Sequence, residues 1–169
     1  AMRVEAAIKA GSYEIGQGIN LVELMQKLTR GDVTQSEIVF IEGMNFRQMR
    51  EKLDAHPDLR HDSQGLSEAE IMRLVGAPEL AAEGRFFPDT YLFAKQSRDV
   101  DVLRRAFHAM ARHLEREWEA RAAGLPYADP QQALIMASIV EKETGRDQER
   151  PLIAAVFVNR LRLGMLLQT

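Results

Sequence analysis

The chain has 169 residues and not one cysteine, which excludes disulfide staples, thiolate nucleophiles and cysteine-ligated metals. That absence suits oxidising and reducing compartments alike. No apolar run approaches the roughly 18 residues that a membrane-spanning helix needs. An excess of positive charge is also missing, since the formal net charge is −3 and the pI near 5.9. A nucleic-acid footprint would be basic, so no nucleic-acid partner is expected. Aromatic residues make up only 7%. The four histidines are scattered, with no H-E-x-x-H or similar ligand spacing, so no metal site and no cofactor are implied. His56 and His61 fall in a polar loop, and His108 and His113 are five apart, a poor spacing for shared ligation on a helix. Phosphate loops, nucleophile elbows, internal repeats and low-complexity tracts are absent as well.

What is present is enough apolar material for a proper core: 46% of residues are hydrophobic and 28% charged. The most informative stretch runs from Asp129 to Gly145, DPQQALIMASIVEKETG. Asp129 before Pro130 reads as an N-cap with proline at the first helical position, and Gln132 stands where a capping box wants Glu or Gln. Gly145 suits the C-terminal stop. Between them only Ser138 is polar until Glu141, so the helix is expected to be buried all round.

Glu141 prolongs that apolar run, on the side shared with Leu134, Ala137 and Ser138. Poor hydration and the negative end of the helix dipole would both disfavour the anion there, which suits a general acid. Two other readings stay open. Glu141, Lys142 and Glu143 could be a solvated charge cluster, or Glu141 could be a buried acid paired with Arg150 or Arg160. Lys142 and Glu143 are expected to be more exposed than Glu141.

Before this helix the order of elements is mixed. Residues 2–15 alternate weakly and suggest one or two short strands. Asn20 with Glu23 caps a helix carrying Leu21, Leu24, Met25 and Leu28. Ser36–Ile41 reads as a strand, and Asn45 with Gln48 caps a second helix through Leu53. Residues 54–66 form a loop, and Ser67 with Glu70 caps a short helix stopped by Pro78. The run Glu83–Tyr91 reads as a loop in which Phe86 and Phe87 plug onto the core, while Glu83 and Asp89 lie near a site. From Asp99 to about Ala123 one amphipathic helix places Val102, Leu103, Ala106, Met110, Leu114 and Trp118 on its core stripe. After Pro151 another helix continues through Leu163, with Val156, Phe157, Arg160 and Leu163 expected on its buried side.

The words around Glu141 carry more than their periodicity. S-I-V-E-K-E-T-G at 138–145, E-R-P at 149–151, V-F-V-N-R-L at 156–161 and G-M-L-L-Q-T at 164–169 resemble the core motif of the YceG-like endolytic murein transglycosylases. E-G-R-F-F-P-D-T-Y at 83–91 is similar to that family's second signature, and the likeness covers essentially the whole chain.

The resemblance implies an α+β fold: a small LysM-like module (1–55), a connecting segment with the 83–91 loop (56–98), and a mainly helical, partial catalytic domain (99–169). It implies a lytic transglycosylase that cuts MurNAc–GlcNAc bonds within peptidoglycan glycan strands and leaves 1,6-anhydroMurNAc ends, with Glu141 as the general acid and base. Glu83, Asp89, Tyr91, Ser138, Asn159 and Gln168 are the candidate substrate-binding residues. Implied partners are glycan strands and cell-wall synthesis proteins. The implied location is the periplasmic face of the inner membrane, through an N-terminal anchor. Ala1-Met2 reads as an expression scar without that anchor, and the family's D-P-T-V-x-Y-G continuation would follow Thr169, so a fragment cut at both ends is expected. A two-carboxylate hydrolase using Glu83 or Asp89, and a glycan-binding scaffold without turnover, are the rival functions.

Overall fold

The structure, a computed structural model, describes residues 13, 15–30 and 35–167. The strands expected within 2–15 fall largely outside that range. The remaining order is α1 (Leu21–Arg30), β1 (Gln35–Val39), α2 (Phe46–Asp54), β2 (Leu59–Arg60), α3 (Glu68–Val75), β3 (Thr90–Ala94), β4 (Ser97–Arg98), α4 (Asp99–Glu119), α5 (Pro130–Glu143) and α6 (Arg150–Arg162). The fold is α+β.

Local chemistry sets most helix starts. Asn20 and Glu23 exchange side-chain hydrogen bonds with each other's backbone ahead of α1. The Asn45–Gln48 and Ser67–Glu70 capping boxes are complete at the starts of α2 and α3. At α5 the Asp129 carboxylate accepts from the Gln132 backbone N–H, but the Gln132 side chain accepts from Ala128, one residue before the cap. Gly76 closes α3 with φ of 93°, the left-handed conformation a helix C-terminus uses.

β1 pairs antiparallel with β3, Ile38 standing opposite Tyr91. Its alternation puts Ile38 inside while Glu37 and Val39 face out, and on β3 Tyr91 and Phe93 turn in. The strand β3 takes in the end of the 83–91 run, so that loop stops at Asp89. β2 and β4 pair in parallel over two residues each. One core gathers Phe40, Leu53, Ile71, Met72 and Leu103, joined by Phe46 and Phe86, whose rings stack at 4.9 Å. Burial of each such side chain contributes roughly 1.5–3 kcal/mol.

A smaller cluster joins α5 and α6 through Met136, Val140 and Phe157. Here two expectations are corrected. Helix α5 is not buried all round: only Met136 and Val140 are buried, and Ile135 is 51% exposed. On α6 only Phe157 is buried, while Val156 and Leu163 are exposed and Arg160 donates to the Leu167 carbonyl. Apolar residues in every direction show that a helix can accept cover on all sides. The described neighbours, α4 and α6, supply it on two. Among the described residues no helix is long and apolar enough to cross a membrane.

Candidate active site

Glu141 stands near the C-terminus of α5, on a ridge between two cavities. One, of about 360 Å³, is walled by Gly43 and Met44 from the β1–α2 turn, Glu83 and Phe86 from the 83–89 loop, and Ser138 and Lys142 from α5. The other, of about 500 Å³, lies toward α6 and is walled by Met136, Val140, Arg150, Pro151 and Ala154. Ala137 and Glu141 border both. Glu141 therefore lines a cavity on either side.

The dry apolar wall expected around Glu141 is not what surrounds it. Its side chain is 32% exposed, and its Oε2 lies 2.9 Å from Nη2 of Arg150, at the start of α6. That pair was one of the arrangements the sequence left open. Lys142 and Glu143 are the more exposed neighbours, as expected.

The other candidates separate. Glu83 and Ser138 share the first cavity with Glu141. Glu83 Oε2 accepts from the Phe46 backbone N–H at 3.0 Å, a carboxylate placed on the positive N-terminus of α2. Ser138 Oγ donates back to the Ile135 carbonyl at 2.7 Å. Asp89 is exposed and borders neither cavity. Its carboxylate accepts from the Thr90 N–H and its carbonyl from Phe40. Tyr91 is buried in the core, its hydroxyl donating to the Phe87 carbonyl at 2.7 Å, and burial pushes its pKa up to about 12. Asn159 is exposed on α6 and borders neither cavity. Gln168 lies outside the described residues.

A family model for the YceG-like family matches residues 1–169. The chain belongs to the YceG-like family. It is 25% identical over 191 aligned residues to proteins named endolytic murein transglycosylase from two strains of Streptococcus pneumoniae, covering 96% of this chain and 34% of theirs. The chain thus spans about a third of the length of those curated relatives. Its fold is similar to a solved YceG-like protein from Listeria monocytogenes, with a TM-score of 0.57 and 23% identity, over 96% of this chain and 59% of that one.

Three features of this YceG-like chain had no clear signal in the sequence. Lys142, read as a solvated charge, donates to the Gly43 carbonyl at 2.8 Å and ties α5 to the β1–α2 turn. Phe87 stacks face to face on His113, ring centres 4.0 Å apart, beside an apolar cavity between α4 and α5 lined by Met110, Leu114 and Trp118. Third, candidate ligand atoms of Asp54, His61 and Asp99 lie within 4.8 Å of one another. The Asp99 carboxylate there already accepts from Ser63 N–H, Ser63 Oγ and Val100 N–H, which accounts for its burial without a metal.

Proposed function

We propose that the protein carrying this chain is an endolytic peptidoglycan transglycosylase, with Glu141 as its general acid and base. The observation that supports this best is the position of Glu141 between two cavities. Cleavage inside a glycan strand needs room for sugars on both sides of the scissile bond, and a carboxylate on a shared ridge provides it. The family membership and the names of the pneumococcal relatives point the same way.

In this reading Glu141 gives its proton to the glycosidic oxygen between MurNAc and GlcNAc, and the departing sugar leaves with it. The 6-hydroxyl of the MurNAc residue then attacks its own C1, and the Glu141 carboxylate takes up the hydroxyl proton. The product is a 1,6-anhydroMurNAc end; no water is consumed, and Glu141 returns to its starting form. Glu83 and Ser138, on the wall of one cavity, are placed to contact the sugar there. Action on glycan strands puts the site outside the cytoplasm, facing the wall, and the LysM-like reading of residues 1–55 belongs to the same proposal.

Mass spectrometry of muropeptides released by the full-length protein tests the reading. Wild type should give anhydro ends and Glu141→Gln none. Anhydro products from the Gln variant would falsify the assignment. Reducing MurNAc ends would instead favour a hydrolase in which Glu83, in the same cavity, is the second carboxyl group. Binding of peptidoglycan without turnover would favour a scaffold.

A further inference from the structure

The proposed acid is held by a specific brace. The six residues after Thr144 fold back so that Arg150 meets Glu141, and side chains fix this return. Thr144, itself buried, donates from Oγ1 to Glu149 Oε2 at 2.8 Å, and Thr144 Oγ1 in turn accepts from the Arg146 backbone N–H at 3.0 Å. Glu149 also accepts from Arg146 Nη1 at 3.1 Å, while its own N–H donates to the Arg146 carbonyl. Pro151, in the first turn of α6, removes backbone freedom immediately after Arg150. Arg150 then grips two carboxylates: Nη2 takes Glu141 at 2.9 Å and Nη1 takes Asp147 at 2.9 Å. Its Nε is buried without a hydrogen-bond partner.

We propose that Arg150 is the positioning residue of the site, holding the Glu141 carboxyl on the ridge between the two cavities and keeping it from turning into either one. This rests on the transglycosylase reading above. A planar guanidinium held through Nη1 by Asp147 and bonded through Nη2 to the acid restricts the acid's χ rotations, and a catalytic group misplaced by about 1 Å can lose some 100-fold in rate. The same cation stabilises the carboxylate left behind when the proton departs. Asp147 acts at one remove, by fixing the other arm of Arg150.

Steady-state kinetics of the full-length protein on purified glycan strands separates this from a structural ion pair. Arg150→Met should lower kcat about 10- to 100-fold with KM nearly unchanged. Arg150→Lys should recover part of kcat, because a cation remains but the planar fork does not. Asp147→Asn should fall less, in the same direction; Asp147 is 86% exposed, so that variant folds even where Arg150→Met does not. Wild-type kcat in both Arg150→Lys and Asp147→Asn, or a change confined to KM, would overturn the proposal. Glu141→Gln run alongside keeps the two ideas distinct. An inactive Gln variant beside an unimpaired Arg150→Met refutes only the positioning role, whereas an active Gln variant removes the acid and its brace together.

Discussion

Lys142 Nζ donates a 2.8 Å hydrogen bond to the carbonyl of Gly43, a residue 99 positions earlier in the chain. The contact joins the helix that carries Glu141 to the turn after β1, and both residues line one of the two cavities. Gly43 holds φ at 75°, a conformation glycine adopts without strain, and that turn presents its carbonyl to the lysine.

Replacing Lys142 with Met should therefore loosen the cavity more than the fold. One exposed side-chain hydrogen bond contributes about 1 kcal/mol, so urea unfolding should shift only slightly. The Michaelis constant for glycan should rise several-fold as the wall gives way. An unchanged KM would mean that the turn keeps its place without the lysine.

Tyr91 makes a pH-dependent contribution whose sign is fixed by burial. Its folded pKa is pushed to about 12, chiefly by desolvation and secondarily by Asp89, against an unfolded value near 10. The buried neutral form stabilises the fold fully below pH 10, and this stabilisation is lost as pH rises from 10 toward 12. Tyr91→Phe should remove much of that alkaline slope in urea unfolding. A remainder is expected from Tyr127, also raised by burial. At neutral pH the variant should be less stable by about 1 kcal/mol, because the Phe87 carbonyl loses its donor.

Asp99, the first residue of α4, is fully buried, and its carboxylate accepts from the Val100 N–H, whereas Arg98 at the cap position makes no side-chain cap bond. Alanine there would leave the Ser63 N–H, the Ser63 hydroxyl and the Val100 N–H without their acceptor. A loss of roughly 3 kcal/mol is expected by denaturant unfolding. A loss below about 1 kcal/mol would show that water reaches these donors.

How far the sequence could be read depends on the range of each interaction. Caps are set within four residues, so the starts of α1, α2 and α3 were legible from Asn20, Asn45 and Ser67. The stripe on α4 was legible too: Val102, Leu103 and Ala106 are buried, while Met110, Leu114 and Trp118 line the neighbouring cavity. Strand pairing is another matter. Nothing in Ser36–Ile41 names Thr90–Ala94 as its partner, since that choice is made by the shared core. The site divided in the same way. The sequence singled out Glu141 by its motif, but its pairing with Arg150 was only one of several options, because a lone acid in a greasy run reveals neither its neighbours nor its exposure.

The β1–β3 ladder has a consequence for synthesis. Gln35 pairs with Ala94, so a ribosome must add the whole intervening stretch, α2 and α3 included, before β1 finds its mate. Closing that separation is costly in chain entropy, and the waiting strand has an open edge meanwhile. For this protein the vulnerable interval is the one before Thr90–Ala94 is free to pair with β1, wherever the chain folds.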